Sequence, residues 1–359
     1  MRILQDRVAH QNTIVSLAFS PDGSRIVSGS WDGTAKVWDV LSGELLFTFA
    51  WGASQVNDVA WSPDGTTIAV AGDPPVRELN EKQLASYQAY FDHRDTSCFE
   101  GEDQGTNSCE LRVYAADDGR FLRSFNGLGG GVAFSPDGCR MAVVSWPGLC
   151  IIECDSARTI AGYENESMNL RNVLFSTDGK QIACFSSDGA HVFDSTNANL
   201  VRTVPSHRSG YFPGECIDSE AGRIKRFWGR HLPEFRPVRC ADQGSEMQRI
   251  CFCPVRRTAA IVPDLHGKDV RLISNDGETL LRPRESGIRT ASFSPDGSLL
   301  AVAGDGQTIR IWDMRSLAEG VPVGNPPTAL ASVGCAPTVP FIAAGNRDGE
   351  FGLFLIQRT

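Results

Sequence analysis

The 359-residue sequence has no long apolar run and no recognisable export signal. No run approaches the ~18 apolar residues of a membrane-spanning helix, and the opening residues MRILQDRVAH lack the apolar core of a secretory signal. Eleven cysteines at scattered spacings, without such a signal, favour reduced thiols over a disulfide framework. These absences predict a cytoplasmic or nuclear protein that does not enter a membrane.

Familiar catalytic motifs are missing as well. The sequence has no G-x-S-x-G serine motif and no H-E-x-x-H zinc motif, and the glycine-rich GLGGG at 127–131 lacks the G-K-[ST] ending of a phosphate loop. The net charge of −9 disfavours nucleic acid as a partner of the whole molecule. We therefore expect no catalytic residue, no metal, no cofactor and no small-molecule substrate.

What the sequence does contain is a repeated anchor. FSPDG, its relatives WSPDG and FSTDG and two eroded copies together make seven anchors. They begin at residues 19, 61, 134, 175, 252, 293 and 333. Each unit reads alike, as four short strands separated by turns; in the first unit these are IVSLAFS, RIVSGS, AKVWDV and ELLFTFA. Proline and Asp-Gly stand where tight turns need them. Four-stranded antiparallel sheets that stack around an axis would bury both of their faces.

Two of the units carry a more specific pattern. SWDGTAKVWD at 30–39 and GDGQTIRIWD at 304–313 resemble the hallmark of WD-repeat β-propellers. The resemblance implies a structural hydrogen-bond chain of His10, Ser28 (or Ser30), Asp32 and Trp38. In the sixth unit it implies Asp305 and Trp312, without a histidine.

The fold prediction is an all-β, seven-bladed propeller in a single domain over residues 1–359. The last unit lacks a fourth strand, and residues 2–9 precede the first anchor as a fourth strand would, so we predict that they complete the last blade. Eight blades is the alternative, because GRIKRFWGRHLPEF at 222–235 faintly resembles a further strand pair.

Two insertions interrupt the repeat, at about 74–109 and 207–244. The first joins a second strand to a third and the other joins a fourth strand to a first, so both should emerge on one face. Residues 73–110 carry nine acidic and three basic residues, a net of −6, whereas residues 223–239 carry six basic residues and one acidic, a net of +5.

The charged insertions hold the candidate partner-binding residues. Arginine beside aromatic residues is typical of interface hot spots. The candidates are Arg223, Lys225, Arg226, Trp228, Arg230, Arg236 and Arg239 in the basic segment, and Glu100, Glu102 and Asp103 in the acidic segment. Three interpretations stay open: both segments are simply solvated, they pair with each other over the channel, or the basic one grips an acidic peptide, a phosphate group or RNA.

The pattern as a whole favours a non-catalytic scaffold or adaptor that presents one propeller face to protein or peptide partners, within a larger complex. Two alternatives remain. One is an enzyme of the hydrolase kind built on a propeller, which fold alone does not exclude. The other is a phosphate- or RNA-binding module that uses the basic segment 223–239.

Overall fold

The computed structural model describes most of the chain as β-strands joined by turns. The described residues are 2–50, 55–73, 110–126, 128–145, 148–165, 170, 173–176, 178–186, 189–205, 249–252, 258–262, 270–274, 277–282, 288–294, 297–304, 309–319, 330–335, 341–346 and 348–355. Within these ranges, no helix has the length and apolar character needed to cross a membrane.

The strands pair into seven four-stranded antiparallel sheets, numbered here as blades 1 to 7. Blade 1 contains β2 (Ile14–Phe19), β3 (Arg25–Ser30), β4 (Thr34–Asp39) and β5 (Leu45–Ala50). Blade 2 contains β6 (Gln55–Trp61), β7 (Thr67–Asp73), β8 (Glu110–Ala115) and β9 (Phe121–Asn126). Blade 3 contains β10 (Val132–Phe134), β11 (Arg140–Ser145), β12 (Gly148–Glu153) and β13 (Thr159–Glu164). Blade 4 contains β14 (Val173–Phe175), β15 (Gln181–Ser186), β16 (Gly189–Asp194) and β17 (Leu200–Pro205).

The remaining three blades follow the same order. Blade 5 contains β18 (Arg249–Phe252), β19 (Thr258–Val262), β20 (Val270–Ser274) and β21 (Gly277–Leu281). Blade 6 contains β22 (Ile288–Phe293), β23 (Leu299–Gly304), β24 (Ile309–Asp313) and β25 (Ala318–Glu319). Blade 7 contains β26 (Leu330–Cys335), β27 (Phe341–Asn346), β28 (Glu350–Leu355) and, from the start of the chain, β1 (Arg2–Val8). We call the end of a blade where its first strand begins the upper face, and the opposite end the lower face.

The anchor motif forms the lower turn between the first two strands. In blade 1 the Asp22 carboxylate accepts hydrogen bonds from the Ser20 hydroxyl at 2.5 Å and the Ser24 amide at 3.0 Å. Gly23 has a φ of 73°, which glycine adopts without a steric penalty. The same serine–aspartate bond recurs at Ser62–Asp64, Ser135–Asp137 and Ser176–Asp178. The tetrapeptide Ser-Pro-Asp-Gly, or Ser-Thr-Asp-Gly in blade 4, therefore recurs in the repeat because it forms this turn.

The hydrophobic core lies between neighbouring blades. Buried apolar clusters join blade 5 to 6, 6 to 7, 7 to 1, 1 to 2, 2 to 3, and 3 to 4. At the junction of blades 7 and 1, for example, Ala343 lies in one cluster with Ile14 and Trp38. A sheet that is covered on both faces by its neighbours is the packing of a β-propeller, so the all-β propeller architecture is confirmed.

The blades are less uniform than the sequence predicts. Blades 1 to 5 are regular, since each consists of four consecutive strands of three or more residues. In blade 6 the fourth strand is only Ala318–Glu319, and blade 7 takes its fourth strand from β1. The prediction of seven four-stranded blades is therefore corrected to five blades of four consecutive strands. Blade 6 has a fourth strand of only two residues, and blade 7 is completed by β1, as the sequence predicted. The stretch 222–235, on which an eighth blade would depend, lies outside the described residues.

The seventh anchor also needs correction. Cys335 pairs with Ile342 in blade 7, as Phe19 pairs with Ile26 in blade 1. The position equivalent to the anchor phenylalanine is therefore Cys335, two residues after the predicted Val333. The motif has lost both its aromatic residue and its Asp-Gly turn at this site, so the sequence offered little to fix the register.

The first described strand closes blade 7. Residues 2–9 were expected there, and β1 pairs antiparallel with β28 from Arg2 opposite Leu355 to Val8 opposite Glu350. The amides of Ala9 and His10 then donate to the Gly349 carbonyl at 2.9 and 2.8 Å. Gly349 has a φ of 80°, and a Cβ atom there would collide with the His10 carbonyl. Only glycine fits this close approach of the two segments.

Candidate functional site

The upper end of blade 1 brings four predicted side chains together. Nε2 of His10 lies 2.8 Å from Oγ of Ser28, which accepts a hydrogen bond from Nε1 of Trp38 at 2.9 Å. Nδ1 of His10 lies 3.0 Å from Oδ2 of Asp32. The segment before β2, the strands β3 and β4 and the turn between them each supply one residue of this chain, which we call the blade 1 brace.

The donors and acceptors of the blade 1 brace fit one proton arrangement. The indole N–H of Trp38 can only donate and the Asp32 carboxylate can only accept. Ser28 therefore accepts from the indole and donates its own proton to Nε2 of His10, while Nδ1–H of the imidazole donates to Asp32. Every member is satisfied, which is the condition under which a buried polar chain stabilises a fold.

The ionisation of the brace agrees with this arrangement. Burial lowers the pKa of His10 below its ordinary value, although the Asp32 carboxylate partly opposes the change. Partial burial raises the pKa of Asp32, but hydrogen bonds from His10, Thr34 and the Gln11 amide outweigh it and hold that pKa well below the usual range. At neutral pH a neutral imidazole therefore lies beside an ionised carboxylate.

The order serine, histidine, aspartate is also that of a hydrolase triad, but this one cannot reach a substrate. Ser28 is 0% exposed and His10 is 1% exposed. The oxygen that would attack already accepts the indole proton of Trp38. The geometry thus assigns these residues to holding strands together, and a hydrolase would have to use other residues.

A second buried carboxylate, which sequence reasoning missed, links three blades. Asp58 is 4% exposed on the first strand of blade 2. Its Oδ1 accepts from the Ser16 hydroxyl of blade 1 at 2.7 Å, and its Oδ2 accepts from the Val132 amide of blade 3 at 3.0 Å. A bulge between Val56 and Asp58 shifts the register just before this residue. The available signal was an acidic residue directly before the apolar run Val59–Trp61 of the same strand.

The edge of the acidic insertion is fixed by a third polar cluster. Asp73, the last residue of β7, accepts from Nε2 of Gln55 at 2.6 Å and from Nδ2 of Asn57 at 3.2 Å. Asn57 also donates to the Gly129 carbonyl of the blade 2 to blade 3 connection at 2.8 Å. On the other side of the insertion, Glu110 pairs with Arg112 at 2.9 Å. Asp73 and Glu110, the strand residues that flank segment 74–109, therefore both lie at the upper end of blade 2.

Blade 4 contains a polar chain that the sequence analysis did not anticipate. His191 is 0% exposed on the third strand. Its Nε2 lies 2.7 Å from Oγ of Ser186 on the second strand, and its Nδ1 lies 3.1 Å from Oγ1 of Thr203 on the fourth. We call this chain the blade 4 brace. A histidine alone in the strand GAHVFD was its only sequence signal.

The other predicted site residues are placed as follows. All ten candidate partner-binding residues, and Asp305, lie outside the described residues. Trp312 is 3% exposed on the third strand of blade 6. Register places Val302, not a serine, at the position that Ser28 occupies in blade 1. The blade 1 arrangement of indole and hydroxyl is thus not repeated in blade 6.

Comparison with known proteins agrees with the fold. The family described as "WD domain, G-beta repeat" matches residues 2–39, 43–73 and 277–313. The chain is 23% identical to WD repeat-containing protein 1 of Xenopus tropicalis over 59% of its own length and 38% of that protein. It is 25% identical to a periodic tryptophan protein 2 homolog of Dictyostelium discoideum over 50% of its length and 21% of that protein.

A third relative matches more of the chain. Telomerase protein component 1 of Mus musculus is 23% identical over 86% of this chain, but over only 13% of its own length. The chain thus spans less than two fifths of each of these three relatives. WD repeats are thus detected in three stretches of this chain, and together with its sheets and the hydrogen-bond chain of blade 1 they resemble those of WD-repeat β-propeller proteins.

Proposed function

We propose that this chain is a non-catalytic scaffold that holds protein or peptide partners on its upper face. The observation that carries the proposal is the position of the strand ends beside the two insertions. β7 ends and β8 begins at the upper end of blade 2, and β17 ends and β18 begins at the upper ends of blades 4 and 5. Long connections in compact domains are often functional, and the strand ends that flank the two insertions lie on this one side.

The upper face is also polar and linked by hydrogen bonds where it is described. The blade 1 brace, the Asp58 bridge and the Asp73 cluster all lie at this end and fix the strands that enter it. Trp31, beside the brace, is only partly buried. A rim whose strands are held by hydrogen bonds, with a partly exposed indole, suits recognition of another chain, because few of its residues have to become ordered on binding.

The relatives support a role in assemblies. One is named as a WD repeat-containing protein, and another is named as a protein component of telomerase. For this chain we propose contact through the basic residues Arg223, Lys225, Arg226, Trp228, Arg230, Arg236 and Arg239, with Glu100, Glu102 and Asp103 as a second, acidic surface. Arginine would form paired hydrogen bonds with carboxylates of the partner.

A charge-reversal pair tests the proposal. Arg226→Glu with Arg230→Glu changes the basic segment, and Arg120→Glu with Lys180→Glu makes the same charge change on the lower face, where those side chains are 71% and 80% exposed. Partners captured from lysate by wild-type protein are identified, purified and titrated against all three proteins. We expect the first variant to lose at least about tenfold in affinity, or ~1.4 kcal/mol, and the control to bind like wild type.

Two results would contradict the proposal. If both variants bind the purified partner as wild type does, the basic segment is not the contact surface. If the lower-face control loses affinity equally, the effect is one of net charge alone. Affinity that falls steeply as salt rises would support an interface formed by charged residues, and affinity independent of salt would count against one.

A further inference from the structure

Two cysteines meet at the lower end of blade 3. Arg140 pairs with Glu153 at the end of the β11–β12 ladder. The Cys154 amide then donates to the Cys139 carbonyl at 2.8 Å, which extends the ladder by one residue pair. Cys139 and Cys154 are therefore opposite each other just beyond the strands, one residue before β11 and one residue after β12.

Strand alternation, continued by one residue at each strand end, places both side chains on the same face of the sheet. Met141 and Ile152 both lie in the cluster between blades 2 and 3, and each is two residues from one of the cysteines. Side chains two residues apart along a strand share a face. Cys154 itself packs against that cluster. Both thiols thus lie on the blade 2 side of blade 3, at its lower edge.

The backbone spacing suits a covalent link. Antiparallel residues that exchange both backbone bonds have Cα atoms about 5.5 Å apart, and disulfides join Cα atoms roughly 4.4–6.8 Å apart. Cys139 and Cys154 share one of the two bonds, since the Cys139 amide donates to Oδ1 of Asp137 at 3.0 Å. Cys150 is a poorer partner for either residue. It lies four residues from Cys154 along one strand, or ~13 Å, and its opposite neighbour is Val143, itself four residues from Cys139.

The two thiols differ in access. Cys139 is exposed, and its Sγ lies 3.6 Å from the Asp137 carbonyl of its own turn. Cys154 is half-buried, and burial, aided by Asp155 and by the Cys139 thiol, raises its pKa to about 12. An incoming reagent therefore meets Cys139 first. The corresponding pairs in blades 1 and 2, Ser24 with Val40 and Thr66 with Ala116, carry no thiol.

We infer that Cys139 and Cys154 form a redox pair that a low-molecular-weight disulfide, such as glutathione disulfide, closes into a cross-strand disulfide. The Cys139 thiolate attacks one sulfur of the reagent and releases one thiolate, leaving a mixed disulfide on Cys139. The Cys154 thiolate then attacks the Cys139 sulfur and releases the second. Two thiols of the protein are oxidised, the reagent takes the two electrons, and two small thiols leave.

The test uses the full chain treated with glutathione disulfide, alkylated and digested with trypsin. Cleavage after Arg123, Arg140 and Arg158 places Cys139 in peptide 124–140 and both Cys150 and Cys154 in peptide 141–158. We expect these peptides to be joined, with Cys150 alkylated. Cys150→Ser should keep the link, whereas Cys154→Ser should stop at glutathione on Cys139.

Rates and melting provide independent readouts. Because Cys154 must lose its proton to attack, conversion of the mixed disulfide to the closed form should accelerate about tenfold per pH unit between pH 7 and 9. Oxidation should raise the Tm of wild type and leave that of Cys139→Ser unchanged. Since Cys139 is exposed, this variant should fold even if Cys154→Ser does not. A link through Cys150, or glutathione on Cys139 that never resolves at pH 9, would overturn the inference.

Discussion

Blades 1 and 4 are braced by the same residue types in different places. In blade 1 the histidine precedes the first strand and reaches Ser28, which also takes the proton of Trp38. In blade 4 the histidine is on the third strand, where blade 1 has Lys36. Blade 4 also has Phe193 in place of Trp38 and Cys184 in place of Ser28. Blade 4 therefore has neither the indole nor the hydroxyl of blade 1.

This comparison separates two parts of the hallmark. In blades 1 and 4 the indole and the hydroxyl are present or absent together, in line with the cost of a buried N–H without an acceptor. Blade 6 differs, because it keeps Trp312 with Val302 at the hydroxyl position. The histidine is independent of the indole and the hydroxyl, since blade 4 keeps a buried histidine without the tryptophan. Blades 1 and 4 thus each have a satisfied polar chain across their strands, at different positions.

The largest expected effect comes from breaking the shared hydroxyl of blade 1. Ser28→Ala leaves both the Trp38 N–H and Nε2 of His10 buried without this partner, and should lower the free energy of unfolding by about 3 kcal/mol. Urea denaturation measures the loss. The matched control is Cys184→Ala at the equivalent position of blade 4, which removes only packing and should cost about 1 kcal/mol. Equal losses would refute the distinction between the two blades.

Converting blade 1 to the blade 4 pairing should recover part of that loss. Ser28→Cys replaces the hydroxyl that accepts from the Trp38 indole by a thiol, which is a weaker acceptor. Trp38→Phe removes the indole N–H itself. The double variant should therefore be more stable than the sum of the single losses predicts, by about 1–2 kcal/mol. The four proteins of this cycle are compared by urea denaturation. Strict additivity would show that the indole and the hydroxyl do not act as a unit.

Breaking the blade 4 brace should cost less. His191→Leu leaves the buried Ser186 hydroxyl without the imidazole, and we expect a loss of about 1.5 kcal/mol. Thr203→Val removes only the exposed end of the same chain and should change stability by less than about 0.5 kcal/mol. Thermal melting of both variants orders the two. A Thr203→Val loss as large as that of His191→Leu would mean that the exposed end carries the brace.

The smallest effect is that of pH on blade 1. Above the ordinary histidine pKa of about 6.5, His10 is neutral in both the folded and unfolded states and its contribution is complete. Because burial lowers its pKa in the folded protein, the unfolded chain binds the proton first as pH falls, and stability declines below that value. The Tm should fall between pH 7.5 and 5, and fall less in His10→Asn. The same slope in both proteins would assign the effect to other groups.

The parts of the fold that could be predicted depend on local sequence. The anchor turns follow from Ser, Pro, Asp and Gly within one tetrapeptide, and the four residues of the blade 1 brace follow from a hallmark whose spacing is set by one short turn. The strand over residues 2–8 could be placed because the last unit lacks its fourth strand. Each of these needs only the repeat frame.

The parts that were missed depend on register and on the ring. Asp58 joins three blades, so its partners Ser16 and Val132 are 42 and 74 residues away and share no local pattern with it. His191 becomes a brace only once its strand is aligned with those that carry Ser186 and Thr203. The short fourth strand of blade 6 was missed for a similar reason, because no local sequence feature predicts that β25 has only two residues.

The pairing of β1 with β28 also sets an order of events during synthesis. Val8 lies opposite Glu350, so the first strand leaves the ribosome roughly 340 residues before its partner does. Throughout that time its backbone hydrogen-bonding groups lack the strand that pairs with them in the folded protein, and the last blade made has one apolar face without its neighbour. The ring can therefore close only after β28 has been made, and until then the unpaired edge of β1 is open to pairing with a neighbouring chain.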